Sequence, residues 1–106
     1  SASDRSVKGF EVFYSSGNRG GYTRLAKSQS LGKAIAAGLD GKWSTRNRGV
    51  KDKSLYVTRL TSTPSVLVEI EFVTSREMEP LLRSEWHRKK AAEGVAEGIA
   101  GWLGVN

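Results

Sequence analysis

The 106-residue chain has no cysteine, one histidine and two prolines, and no apolar run approaching the ~20 residues of a membrane span. Without cysteine, disulfide scaffolds, zinc ribbons and thiol enzymes are excluded. A lone His87 cannot complete the several-ligand set a zinc ion takes from one chain. Metal chemistry here therefore needs ligands from outside these residues. The longest apolar stretch, 65–73, carries Glu69 and Glu71, so the expectation is a soluble chain. The polar start Ser1-Ala2-Ser3-Asp4-Arg5 has no charged head followed by an apolar core, and is read as a mature or trimmed end.

What is present is one ordinary small domain: 38% hydrophobic residues, 17 Lys+Arg against 11 Asp+Glu, and a net charge of +6. A chain of this size buries only ~60–65% of its unfolded surface and has little stability to spare. The positive balance favours an anionic partner, and nucleic acid, a membrane surface or an anionic wall polymer all satisfy it.

Residues 9–14 alternate bulky apolar and polar side chains and predict a strand, ended by the turn-formers of 15–21. From Tyr22 to Trp43, Leu25, Ile35, Leu39 and Trp43 fall at helical steps, which predicts an amphipathic helix. Residues 44–54 lack an apolar period and read as a basic loop carrying Arg46, Arg48, Lys51 and Lys53. Residues 55–58 read as a short strand. Val66 to Val73 is rich in β-branched residues and reads as a central strand covered on both faces. Thr74-Ser75-Arg76-Glu77 has capping-box spacing and starts a short helix. A last helix runs from near Ser84 to Leu103, with Ala92, Val95, Ala96, Ile99, Trp102 and Leu103 as its buried stripe. Strands interleaved with helices give an α/β fold, a mixed sheet flanked by helices on both faces.

Glu69 is the residue these strands mark for chemistry. A carboxylate inside an apolar strand is costly unless paired, protonated or placed at a metal. At a strand end it is also simply solvated. Glu69 and Glu71 share a face at ~7 Å separation, which fits the two carboxylates of an inverting glycosidase. The basic group at 46–53 lacks interleaved aromatics and reads as solvated. His87 reads as a helix-surface or partly packed residue.

Several segments together resemble the zinc-dependent N-acetylmuramoyl-L-alanine amidases of type 3, which cut bacterial peptidoglycan. Leu55-Tyr56-Val57-Thr58-Arg59 and Thr63-Pro64-Ser65-Val66-Leu67-Val68-Glu69-Ile70-Glu71-Phe72-Val73 are similar to the C-terminal half of that family's catalytic domain. Val7-Lys8-Gly9-Phe10-Glu11-Val12-Phe13-Tyr14 resembles the strand that follows its second zinc histidine. Arg48-Gly49-Val50-Lys51 and the helix 91–103 also match in order.

The resemblance implies an amidase in which a zinc ion activates water and Glu69 is the general acid/base. Glu71 stands where many members have glycine and is placed beside the site or facing solvent. The family's zinc ligands have no counterpart here, and His87 matches none of them. Residues 1–106 are accordingly expected to be the C-terminal portion of a single, incomplete catalytic domain. Its partners are then peptidoglycan and the missing N-terminal segment, its setting is extracytoplasmic, and alone it is expected to be inactive and unstable or self-associating. A non-catalytic wall-polymer module using Arg46, Arg48 and Lys51 is the second reading, and the glycosidase the third.

Overall fold

The computed structural model describes residues 9–16, 21–43, 46–70 and 79–105. The elements run β1 Phe10–Tyr14, α1 Gly21–Lys42, β2 Asn47–Asp52, α2 Tyr56–Arg59, β3 Leu67–Glu69, α3 Glu79–Arg83 and α4 Glu85–Leu103. The three strands lie in the order β2-β1-β3. β2 is parallel to β1 and β3 antiparallel to it. The α/β reading with a mixed sheet and flanking helices is borne out.

Alternation along β1 divides the sheet into two faces. Phe10 and Val12 join Ile35, Ala36, Leu39, Trp43 and Ala91 in the buried core, with Val50, Val66 and Val68 packed against it. Glu11 and Phe13, one step out of phase, point to the opposite face and are buried there too. A strand buried on both faces is central, and among the described strands that position belongs to β1. The expected central strand at 66–73 is, within the described residues, the short β3 on its flank. Glu71 and the capping box at 74–77 lie outside the described residues.

Two further expectations are corrected. The basic loop at 44–54 contains β2, because pairing with β1 supplies the order that no apolar period announced; only Val50 of its side chains packs on the core. The short strand at 55–58 is the one-turn helix α2. Its Thr58 hydroxyl is hydrogen-bonded to Ser15 Oγ at 2.6 Å. Arg24, buried on α1, ties the same corner by donating from Nη1 to the Thr58 carbonyl at 2.7 Å and from Nη2 to the Ser15 carbonyl at 2.8 Å.

The last helix is capped at both ends. Ser84 Oγ accepts from the His87 amide, and Gly104 closes the other end at φ +78°. Its buried stripe is different. Ala91, Gly94 and Gly98 face α1, whereas Ala92 and Ala96 are exposed and Ile99 and Leu103 remain 38% and 61% exposed. The reason is close helix contact through glycine. A Cβ on Gly38 would lie 2.1 Å from the Gly94 carbonyl oxygen, and one on Gly98 would lie 2.5 Å from that of Ala34. Small residues let the two backbones touch, so that Ile99 and Leu103 turn outward while Val95 still packs against the core and Trp102 Nε1 donates to Ser30 Oγ on α1 at 3.1 Å. Val95, Ala96 and Ile99 instead line an open groove with Trp43, Val68 and Ile70.

Gly38→Ala is therefore expected to destabilise the protein by ~1–3 kcal/mol through overpacking against rigid backbone. Gly41→Ala, on the same helix, adds a methyl group that meets nothing within 4 Å, and is expected to be neutral or stabilising by up to ~1 kcal/mol. Urea-denaturation midpoints of the two variants check this.

A candidate active-site face on the sheet

The face of the sheet turned away from the core carries charge where packing would favour apolar groups. Glu11 sits in the middle of the central strand and is 7% exposed. Its carboxylate accepts from Lys51 Nζ at 2.7 Å and from Arg48 Nε at 3.2 Å. Burial works to raise its pKa, but the hydrogen bonds and charges of Lys51 and Arg48 outweigh that and hold it below the ordinary carboxylate value of 4.5.

Two cations reach one carboxylate because β2 is irregular. In regular alternation residues three apart fall on opposite faces. The register with β1 passes from Phe10↔Asn47 to Val12↔Val50, so β2 spends one extra residue there. Gly49, at φ +100°, takes the left-handed backbone that such a bulge requires. Arg48 and Lys51 are thereby brought to the same face as Glu11. Lys53, further along, lies over the Phe13 ring at 5.1 Å.

β3 adds Glu69 to this face. The antiparallel register sets Glu69 directly opposite Glu11, a spacing of ~4.5–5.5 Å between Cβ atoms. Like charges directly opposite one another destabilise a sheet, and Arg48 and Lys51 offset that at Glu11. Glu69 is partly buried, and among the described residues it has no hydrogen-bond or ion-pair partner.

Sequence reasoning singled out Glu69 but missed Glu11, whose partners lie 37 and 40 residues further along the chain. The one local signal was an acid in an otherwise apolar strand, the same signal that marked Glu69. Arg48 and Lys51, read as solvated, are committed to Glu11. Arg46 is exposed, and its carbonyl accepts from the Phe10 amide at 2.9 Å. His87 is partly packed, edge-on to Trp86 at 5.0 Å and to Trp43 at 6.4 Å.

The N-acetylmuramoyl-L-alanine amidase family model matches residues 1–101. The chain belongs to that family. It is 34% identical over 94 residues to the Bacillus subtilis protein YqiI, an uncharacterized protein, covering 89% of this chain and 43% of that one. It is 33% identical over 79 residues to the N-acetylmuramoyl-L-alanine amidase LytC of Bacillus subtilis, covering 74% of this chain and 16% of LytC. Among solved structures, the amidase AmiC2 of Nostoc punctiforme aligns with a TM-score of 0.79 at 30% identity, covering 95% of this chain and 51% of that one. The CwlD amidase of Clostridioides difficile, solved in complex with the GerS lipoprotein, aligns at 0.83 and 28%, covering 97% and 50%. The chain thus spans about half the length of these solved relatives.

Nothing among the described residues fits the zinc of that family. Among the described residues no three His, Cys, Asp or Glu side chains cluster to hold a metal, and the ring of His87 is stacked edge-on against two tryptophans. No helix among them is long and apolar enough to cross a membrane.

Because the Glu11 pKa lies lower in the folded than in the unfolded chain, its pairing stabilises the fold fully above about pH 4.5 and is lost as pH falls through the folded value. Glu11→Gln is expected to cost roughly 1–3 kcal/mol at pH 7 and to flatten the decline in stability as the pH falls below about 4.5. Denaturation midpoints against pH, for wild type and variant, check both.

Proposed function

We propose that this chain is the C-terminal portion of the catalytic domain of a peptidoglycan amidase. The enzyme hydrolyses the amide between the lactyl group of N-acetylmuramic acid and L-alanine. The observation that carries this is Glu69: a partly buried carboxylate without a partner among the described residues, on the charged face of a sheet whose chain matches the amidase family over nearly its whole length.

In this reading a zinc ion would be held by ligands outside residues 1–106 and would supply the activation of the attacking water. Glu69 handles the protons. It accepts a proton as the water oxygen bonds to the amide carbon, and delivers it to the alanine nitrogen as the carbon–nitrogen bond breaks. The products are a free lactyl carboxylate and a peptide with a free amino terminus. Substrate places the protein outside the cytoplasm, at the cell wall or in the periplasm. The wall-polymer module is the less supported reading, since Arg48 and Lys51 are paired with Glu11. The glycosidase pairs Glu69 with Glu71, which lies outside the described residues, and nothing in the family match favours it.

The test is peptide release from purified peptidoglycan by the full-length protein. Glu69→Gln is expected to lower kcat by ~10²–10⁴-fold, and chelation is expected to abolish activity until zinc is returned. Wild-type turnover by Glu69→Gln would remove Glu69 from the mechanism.

A further inference from the structure

α4 carries two non-polar stripes. One, Ala91, Gly94 and Gly98, is buried, and its glycines touch the α1 backbone. The other, Ala92, Ala96, Ile99 and Leu103, recurs at helical steps on a different side and is exposed. A contiguous apolar surface left open on a small domain marks a contact surface. Its surroundings extend it. α1 packs on β1 and β2, α4 packs on α1, and the core side of β3 is left open. There Val68, Ile70 and Trp43 join the α4 stripe in a groove with a volume of about 570 Å³.

That volume suits a small molecule, but a ligand pocket orients its occupant with several converging polar groups. Among the described residues lining this groove, Trp43 and Arg88 alone carry polar side-chain atoms, and Arg88 Nη1 already donates to the Leu82 carbonyl at 2.8 Å. The groove is built for packing. β3 points the same way. It is outermost among the described strands and pairs there only with β1, which leaves its other edge without a ladder partner among them. The opposite edge of the sheet differs. β2 is Asn-Arg-Gly-Val-Lys-Asp, and such a charged edge resists an added strand.

We propose that the groove and the outer edge of β3 together receive the N-terminal portion of the same catalytic domain, through an apolar face of that portion, a placement that rests on reading residues 1–106 as the C-terminal portion. The size of the solved relatives identifies the occupant. AmiC2 and CwlD share this fold over 95% and 97% of this chain, which spans only 51% and 50% of theirs. A second portion of similar size needs a shared core with this one to form a single domain. Among the described residues, the groove beside β3 joins an exposed apolar helix stripe to an open strand edge, so one incoming unit covers both. A strand added along that edge lies ~4.8 Å from β3 and therefore runs beside Glu69.

Photocrosslinking in the full-length protein tests this, with benzoylphenylalanine introduced at position 99 or, as a control, at position 97, an exposed glutamate of the same helix. Position 99 is expected to link to a peptide N-terminal to residue 1 of the same chain, in a yield independent of protein concentration. Position 97 is expected to give no such link. Links to a second copy, links confined to residues 1–106, or equal behaviour of the two positions overturn the proposal. Ala96→Glu supplies a second readout. It is expected to lower the Tm of the full-length protein by ~5 °C or more, because a covered groove buries the added charge. Glu97→Gln is expected to stay within ~2 °C of wild type, and an equally small change in Ala96→Glu overturns the proposal. Peptide release by a wild-type protein whose position-99 link falls elsewhere removes the placement and leaves the amidase. The expected link in a protein that releases no peptide removes the amidase and leaves the placement. A native protein with nothing before residue 1 removes both.

Discussion

The ion pairs of Glu11 are the constraint around which the rest of this sheet is arranged. An acid at the centre of a strand buried on both faces must be compensated in place, since leaving a buried charge unpaired costs several kcal/mol. β2 supplies the compensation from the outer position among the described strands, where long basic side chains keep their stems against the sheet and their heads near water. The bulge follows from the need to bring both Arg48 and Lys51 to the same carboxylate. Gly49 follows from the bulge, and a register that places Glu69 opposite Glu11 adds a second acid to a neighbourhood already neutralised.

The other face is governed by contact distance rather than charge. α1 lies across β1 and β2 through its small and aliphatic residues, and α4 touches α1 closely enough at Gly38, Gly94 and Gly98 to exclude a methyl group. That contact seats α4 on α1 through small residues, while Val95 and Ile99 of α4 line the groove beside β3. The two faces have separate tasks: one holds the fold together with backbone-close packing, and the other carries the carboxylates.

How much of this was legible depended on whether the signal was local. The two long helices repeat their apolar residues every three to four positions, and β1 alternates, so both were readable within a window of a few residues. Glu69 was readable because an acid in a β-branched run needs a reason. β2 was not, because an edge strand of Arg, Gly, Lys and Asp has no apolar period and owes its order to pairing with residues far earlier in the chain. The packing stripe of α4 was partly misplaced for the same kind of reason: a glycine-mediated contact leaves no hydrophobic signature, and of the residues that looked like a core stripe Val95 packs against the core whereas Ala92, Ala96, Ile99 and Leu103 are exposed. Glu11 had a local signal but no local partner. Its significance required the fold that brings residue 48 and residue 51 beside it.

Chemistry on the charged face of the sheet, over Glu69 and beside Glu11, is the claim on which everything else stands. The most direct measurement is a crystal structure of the full-length protein carrying Glu69→Gln, with a muramoyl peptide bound. The scissile amide is expected over residue 69 on the face shared with Glu11, with Arg48 and Lys51 still on the Glu11 carboxylate. A peptide seated instead in the apolar groove between β3 and α4, with its amide away from residue 69, would contradict it.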